Sequence, residues 1–225
     1  MPSGRSYAAV GFDMDSTLLR TDVDYPKLSK AVCNEMIAAG VPEHVLDPKE
    51  SSLFNMDAGA NYLRRNGRAG DVPIIVERMR SNIDMIELEN VSTARPYDGT
   101  EKMIAYLKDR GYGIGVLTRG GRKYATKALT VAGVIGMIDV LVCRDDHDES
   151  EAKPSPAAMG YLASGLGLRC DEILYLGDHK MDYFCARDSG AGFIGVLTRY
   201  DKKDWEAVDP KINVINTVAD LVGIL

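Results

Sequence analysis

Five short apolar stretches alternate along this chain with segments of helical periodicity, and this alternation limits the possible folds more than any other feature. The stretches occupy residues 7–12, 113–117, 138–143, 172–176 and 192–197. Near-continuous apolar strands of this kind are typical of a parallel sheet covered by helices on both faces. The helical patterns between them lie at residues 99–110, 122–131, 156–166 and 180–189. We therefore predict an α/β fold built on a doubly wound, Rossmann-like parallel sheet.

One interval along the chain is too long for this scheme. Asp13 and Thr118, which end the first two strands, are 105 residues apart, whereas one strand–helix–strand crossover needs about 30. The interval contains only helical patterns, at residues 26–39, 56–65 and 72–88. We predict an α/β core domain of residues 1–18 and 95–225, with residues 19–94 inserted as a small all-helical cap domain.

The composition disfavours several classes of partner. The 225 residues include 27 Lys and Arg against 33 Asp and Glu, and this acidic balance disfavours nucleic acid or an anionic membrane as the main partner. No apolar run approaches the roughly 18 residues of a membrane span, and the first ten residues lack the apolar core of a signal peptide. We expect a soluble cytoplasmic protein.

Four cysteines without a C-x-x-C pair favour free thiols over zinc binding or disulfides.

Acidic residues stand at the ends of the apolar strands. Asp13 and Asp15 follow the first strand, and Asp178 follows the fourth. Because ligands of open α/β sheets bind outside the carboxyl ends of the strands, we expect these carboxylates to face one crevice. Each would have a raised pKa there unless a cation neutralised it. Oxygen ligands suit Mg²⁺, and we expect Asp13 and Asp178 to bind it.

Further residues at the same strand ends favour the binding of an anion. Thr118 ends the second strand, and Lys153 follows the third, just before a helical segment. A lysine and a helix N-terminus both attract negative charge. Ser16 and Thr17 could supply main-chain N–H donors to phosphate oxygens if the chain turns there. We include Arg119 among the candidate phosphate-binding residues, outside the catalytic set.

Four motifs together resemble those of the haloacid dehalogenase superfamily of phosphohydrolases. They are D-x-D-S-T at 13–17, V-L-T at 116–118, K-P at 153–154 and G-D-x-x-x-D at 177–182. The motifs occur in the order and at the spacing of that superfamily, and they cover the core from end to end. A lone D-x-D would carry little information, whereas four motifs at four strand ends are specific.

The resemblance implies catalytic roles for the matched residues. Asp13 would be the nucleophile that forms an aspartyl-phosphate. Asp15 would be the general acid that protonates the leaving oxygen and then activates water. Thr118 and Lys153 match the pair that positions the phosphate. Dehalogenases that attack carbon lack the second aspartate, so the presence of Asp15 favours a phosphatase.

The resemblance also implies a metal site. Asp13, Asp178 and the main-chain carbonyl of Asp15 would hold Mg²⁺, and Asp182 would be a supporting acid one helical turn after Asp178. The helical insert resembles the small cap of phosphoglycolate phosphatases and β-phosphoglucomutases, which implies a small phosphorylated metabolite as substrate. Two residues depart from the usual pattern: Ser16 replaces a common Gly, and Arg119 stands where Asn is frequent. The identity of the metabolite is therefore open.

Other functions remain possible at this point. A sugar phosphomutase would use the same fold, and it would transfer the phosphoryl group to a second hydroxyl. A phosphoacceptor signalling domain also gathers acids, a Thr and a Lys around Mg²⁺, but its phosphorylated Asp follows a later strand. A non-catalytic binding domain would differ only in lacking turnover. The oligomeric state is not determined by the sequence.

Some of these residues also have purely structural explanations. Asp178 and Asp182 could simply stabilise a helix N-terminus. His179 could indicate a transition metal, although a single His is weak support. The acidic run at 145–151 predicts a solvated loop.

Overall fold

The computed structural model describes residues 7–225. The strands are β1 (Ala9–Phe12), β2 (Leu19–Arg20), β3 (Arg95–Pro96), β4 (Gly113–Leu117), β5 (Val140–Val142), β6 (Ile173–Gly177), β7 (Gly192–Val196) and β8 (Asn213–Ile215). The α-helices are α1 (Tyr25–Ala38), α2 (Ser52–Arg65), α3 (Asp71–Glu89), α4 (Thr100–Asp109), α5 (Arg122–Val131), α6 (Pro156–Leu166), α7 (Lys180–Ser189) and α8 (Lys202–Val208).

The chain divides into two compact units. One extends to Thr21 and resumes over Ser92–Leu225, and the other is Asp22–Val91. The boundaries differ slightly from the predicted 18/19 and 94/95, because β2 pairs antiparallel with β3 and both strands belong to the first unit. That the second unit is a cap stays a prediction.

The first unit is built on a parallel sheet of strand order β5-β4-β1-β6-β7-β8. β1 is central and pairs in parallel with β4 on one side and with β6 on the other. Helices pack against the sheet, with α6 on β4 and β5, α7 on β6 and β7, and α4 on β4. The predicted α/β, Rossmann-like fold is confirmed. Since the strands run in one direction, the residues that follow β1, β4 and β6 meet at one edge.

Two strand glycines allow α6 to lie close to the sheet. A Cβ atom on Gly11 of β1 or on Gly115 of β4 would lie 2.9 Å or 2.7 Å from the Leu162 side chain. Leu162 is fully buried and packs in the core beside Tyr175 and Met159. The close approach fixes α6 over the centre of the sheet, and the segment just before α6 contains Lys153.

The second unit is a helical bundle with its own core. Its elements are α1, α2, α3 and a single 3-10 turn. α1 begins at a cap in which the Asp24 carboxylate accepts the Lys27 N–H, and α2 begins where Ser51 accepts the Phe54 N–H. This second cap explains why α2 starts four residues before the predicted 56. Gly59 of α2 faces Met36 of α1, and a Cβ there would lie 2.5 Å from the Met36 sulfur.

Two elements near the end of the chain were not predicted from the sequence. α8 contributes only Trp205 as a buried residue, and β8 has three residues of which only Ile215 is buried. Elements this short carry too few apolar residues to show a period. The helices predicted at 122–131, 156–166 and 180–189 match α5, α6 and α7.

The acidic run at 145–151 is largely exposed, as predicted for a solvated loop. It contains two 3-10 turns, one ending at Asp146 and the other at Glu151. Arg122 forms an ion pair with Asp146, and Arg119 forms one with Glu149. The two guanidinium groups neutralise part of the run and link it to the segment that follows β4.

Over the described part of the chain, no helix has both the length and the apolar character needed to cross a membrane. The four cysteines are free thiols, as predicted.

Candidate active site

The predicted acids and the predicted threonine follow neighbouring strands at one edge of the sheet. Asp13 follows β1, and its N–H donates to the Leu176 carbonyl of β6 at 2.8 Å. Thr118 follows β4, and its N–H donates to the Val142 carbonyl of β5 at 3.0 Å. Asp178 follows β6. These main-chain bonds extend the sheet by one residue and fix where the side chains start.

Lys153 brings the acids together. Its ammonium donates to Asp13 Oδ1 at 2.6 Å, to Asp182 Oδ1 at 2.7 Å and to Tyr175 Oη at 3.0 Å. The side chain is 2% exposed. Three acceptors use all three N–H bonds of an ammonium group, so its position is fully determined. The sequence prediction that Lys153 and Asp13 share one site agrees with this geometry.

Tyr175 is a site residue that the sequence analysis missed. It lies in β6, accepts from Lys153 and donates its own hydroxyl proton to the Leu117 carbonyl at 2.9 Å. A buried tyrosine in an otherwise apolar strand must find a hydrogen-bond partner for its hydroxyl. The tyrosine in this strand could therefore have suggested a nearby polar site. The Tyr175 hydroxyl therefore links the Lys153 ammonium to the main chain of β4.

Burial controls the pKa values of the acids. It raises the pKa of Asp13 from 3.8 to about 7, with Lys153 opposing the rise and Asp182 and Asp15 adding to it. Burial also raises the pKa of Asp178 to about 6, and the charge of Asp13 contributes. Desolvation of Lys153 acts to lower its pKa, but Asp13 and Asp182 outweigh it and raise the pKa well above 10.5.

The metal-free protein should lose stability as the pH rises. Because the pKa values of Asp13 and Asp178 lie above 3.8 in the folded state, that state binds more protons than the unfolded state between about pH 4 and 7. The free energy of unfolding then decreases with increasing pH. We expect melting temperatures in EDTA to be lower at about pH 8 than at about pH 5, with a smaller difference in Asp13→Asn. An undiminished difference in that variant would contradict the raised pKa of Asp13.

The donor set fits a hard divalent cation. Asp13, Asp178 and Asp182 each offer a carboxylate oxygen, and these three oxygens lie within 4.8 Å of one another. An all-oxygen set of this kind suits Mg²⁺. The cluster differs from the predicted set of Asp13, Asp15 and Asp178 by including the carboxylate of Asp182. The participation of Asp15 through its main-chain carbonyl stays a prediction.

Asp178 is held by two neighbours. Its Oδ1 accepts from the Thr17 hydroxyl at 3.2 Å, and its Oδ2 accepts from Nε of Arg199 at 2.9 Å. The residue is 2% exposed. Arg199 was not predicted as a site residue, because it lies in the loop after β7 and belongs to none of the four motifs.

The carboxylates of Asp15 and Asp13 have different hydrogen-bond partners. Its Oδ1 accepts from the Thr21 hydroxyl at 2.6 Å and from the Tyr124 hydroxyl at 2.5 Å. Burial raises the pKa of Asp15, while these two hydrogen bonds act to lower it. Tyr124 lies on α5 and was also missed from the sequence. The two acids of the D-x-D motif thus have separate environments.

The chain turns after Asp15, as the sequence analysis required. Ser16 has φ 59°, in the left-handed region, and its N–H donates to the Leu19 carbonyl at 2.8 Å. The Ser16 carbonyl accepts the Thr198 hydroxyl. Left-handed backbone favours glycine at this position. A phosphate would have to compete with Leu19 for the Ser16 N–H.

The other predicted phosphate-binding residues also have partners within the protein. The Thr118 hydroxyl accepts the Gly120 N–H at 2.9 Å. The Arg119 guanidinium pairs with Glu149 and donates to the Lys153 carbonyl at 2.6 Å. In this arrangement Arg119 supports the main chain of Lys153. Its binding of phosphate stays a prediction.

His179 caps a helix. Its Nδ1 accepts the Met181 N–H at 3.2 Å at the start of α7. Burial lowers the pKa of His179 to about 4, with the positive charges of Arg199, Lys180 and Lys153 adding to the effect. This capping bond gives the imidazole a structural role beside Asp178.

Comparison with known proteins relates this geometry to a family. Residues 10–196 match the family described as haloacid dehalogenase-like hydrolase. An N-acetylmuramic acid 6-phosphate phosphatase from Pseudomonas aeruginosa is 28% identical over 214 residues, covering 95% of this chain and 89% of the relative. A phosphoglycolate phosphatase from Haemophilus influenzae is 23% identical over 204 residues, covering 87% and 88%. A HAD phosphatase structure from Thermococcus onnurineus has the same fold, with a TM-score of 0.60, 21% identity and 96% coverage of both chains.

Proposed function

Because the chain belongs to the haloacid dehalogenase-like hydrolase family, we propose that it is a phosphatase. Its substrate would be a small phosphorylated metabolite, and hydrolysis would proceed through an aspartyl-phosphate with the help of Mg²⁺. The observation that carries the proposal is the 2.6 Å contact between Lys153 Nζ and Asp13 Oδ1, at the edge of the sheet where Asp178 also lies. The similar proteins named as phosphatases support the same reaction class.

Asp13 serves as the nucleophile. A carboxylate attacks a phosphate dianion only when the negative charge of the phosphoryl group is neutralised. Lys153 provides a fixed positive charge 2.6 Å from Asp13. Mg²⁺, held by Asp13, Asp178 and the main-chain carbonyl of Asp15, would supply the remaining neutralisation. Thr118, with Ser16 and Thr17, would orient the oxygens that do not react.

Asp15 acts as acid and then as base. Two hydroxyls donate to its Oδ1, so the acidic proton of Asp15 resides on Oδ2. In the first step a bond forms between Asp13 and phosphorus, the ester P–O bond breaks, and the proton on Asp15 passes to the leaving oxygen. In the second step Asp15 takes a proton from water, the water oxygen bonds to phosphorus, and the Asp13 carboxylate is released together with phosphate.

The hydrogen bond from Tyr124 gives a test of this acid. Tyr124→Phe leaves Asp15 less well oriented, so we expect kcat/KM for an alkyl phosphate to fall about tenfold. For p-nitrophenyl phosphate, whose leaving group needs no protonation, we expect a change of less than about threefold. Tyr161→Phe is the matched control, because it removes a hydroxyl that donates to Glu151 on the surface. An equal loss with both substrates would contradict the role of Asp15 as acid.

The proposal as a whole is tested by a panel of phosphate monoesters. The panel includes N-acetylmuramic acid 6-phosphate, phosphoglycolate and several sugar phosphates, each assayed for free phosphate with Mg²⁺ and with EDTA. We expect metal-dependent phosphate release from at least one ester. Transfer of the phosphoryl group to a second hydroxyl, without free phosphate, would identify a mutase instead. If no ester in the panel undergoes either reaction, the result would contradict the proposed phosphatase activity.

A further inference from the structure

The carboxylate of Asp178 is already paired with a cation of the chain itself. Arg199 Nε lies 2.9 Å from Asp178 Oδ2. Arg199 belongs to the loop between β7 and α8, where Leu197 donates to the Ile215 carbonyl at 2.9 Å and Thr198 donates to the Ser16 carbonyl. These bonds anchor the start of the loop beside the D-x-D motif. The Arg199 guanidinium therefore already contacts one carboxylate oxygen of Asp178, which would have to bind the divalent cation.

The ion pair between Arg199 and Asp178 lowers the net negative charge of the acidic cluster. The ionisable side chains joined in this cluster are Asp13, Asp15, Asp178, Asp182, Lys153 and Arg199. With Asp15 carrying its acidic proton and the other three carboxylates ionised, three negative charges face two positive ones. The cluster then has one net negative charge, which attracts a divalent cation. Without Arg199 the cluster would have one more negative charge and would attract a divalent cation more strongly.

The two cations of the cluster differ in how firmly they are held. Lys153 is 2% exposed and has three acceptors, whereas the side chain of Arg199 is 42% exposed. A long side chain that is partly exposed can extend into water more easily than one that is enclosed. Lys153 is thus a permanent part of the cluster, and Arg199 is a cation that can be displaced.

We propose that Arg199 competes with the divalent metal for Asp178 and so lowers the metal affinity of the free protein. The inference rests on the proposed function only in assuming that a divalent cation binds the acidic cluster. In the absence of metal, Arg199 limits the repulsion around Asp178. A metal ion bound to the Asp178 carboxylate would lie close to the positive charge of Arg199, and the metal affinity is reduced accordingly.

The test is a calorimetric titration with Mg²⁺ in the absence of substrate. We expect Arg199→Gln to bind Mg²⁺ about tenfold more tightly than the wild type, since it removes one positive charge next to a metal ligand. Arg199→Lys keeps the charge, and we expect it to bind with an affinity close to that of the wild type. Arg169→Gln is the matched control, because Arg169 pairs with Asp171 just before β6, at the opposite end of that strand. We expect no change in that variant.

The single tryptophan offers a second readout. The Tyr200 ring lies 5.4 Å from the His179 ring and 5.5 Å from the Trp205 ring, measured between centroids. Movement of Arg199 would shift the neighbouring Tyr200, so Trp205 fluorescence should follow the same titration curve as the heat. Circular dichroism establishes that each variant is folded before the affinities are compared.

Several outcomes would overturn the inference. It fails if Arg199→Gln binds Mg²⁺ with equal or weaker affinity than the wild type, or if neither protein binds the metal. Asp178→Asn should weaken binding in both backgrounds, and its failure to do so would also overturn the inference. The outcome is independent of turnover, because tighter binding by Arg199→Gln supports the competition even if no phosphate ester is hydrolysed.

Discussion

Asp13→Asn should lower kcat for phosphate release by at least about 10⁴-fold, because an amide cannot form the acyl phosphate and loss of a covalent nucleophile is among the most severe single changes. The measurement is phosphate release under saturating substrate with Mg²⁺. Asp171→Asn, a matched change of an exposed residue before β6, should leave kcat unchanged.

This loss of activity should occur without unfolding. Burial raises the pKa of Asp13, so the neutral amide suits the folded site better than the carboxylate does at alkaline pH. We therefore expect Asp13→Asn in EDTA at about pH 8 to melt at or above the wild-type temperature. Residual activity within about a hundredfold of the wild type would contradict the assignment of Asp13 as nucleophile.

Lys153→Met should have the largest effect on stability. It leaves Asp13 and Asp182 without the ammonium that now contacts both at 2.6 and 2.7 Å. Breaking a buried ion pair by removing one partner typically costs about 3–5 kcal/mol, and we expect a loss of that size in the free energy of unfolding measured with urea at about pH 8. The loss should be smaller at about pH 5, because protonation of the carboxylates relieves their repulsion.

Lys108→Met is the control for this prediction. Lys108 pairs with Asp139 at 2.6 Å, but both side chains are about two-fifths exposed. An exposed pair contributes about 1 kcal/mol or less, so this variant should be nearly as stable as the wild type. Similar losses in the two lysine variants would show that Lys153 does not hold the buried acids together.

The parts of the fold that could be predicted are those with a strong apolar pattern. β4 and α6 were predicted with correct bounds, since each combines buried apolar residues with a clear end signal: Thr118 follows the strand, and Pro156 opens the helix. β8 and α8 could not be predicted, because their burial depends on packing by the rest of the first unit rather than on a local period.

The candidate site divides in the same way. Sequence reasoning pointed to Asp13 and Asp178 because the ends of parallel strands meet at one edge of the sheet, where a carboxylate is unfavourable unless a cation neutralises it. It pointed to Lys153 because that residue follows a strand of the same sheet and could bind an anion there. Tyr124 and Arg199 could not, since their contacts come from a helix face and from a loop, and no spacing in the sequence relates them to the motifs. Only the three-dimensional structure shows that Tyr124 contacts Asp15 and that Arg199 contacts Asp178.

The central claim is that Asp13 becomes covalently phosphorylated during turnover. The most direct measurement uses Asp15→Asn, which should form the aspartyl-phosphate from p-nitrophenyl phosphate but hydrolyse it slowly for want of a base. We predict that mass spectrometry of acid-quenched protein will find one phosphoryl group on the peptide containing residue 13, and none when Asp13→Asn is added. Phosphate release with no modified peptide, or with the phosphoryl group on another residue, would contradict the mechanism.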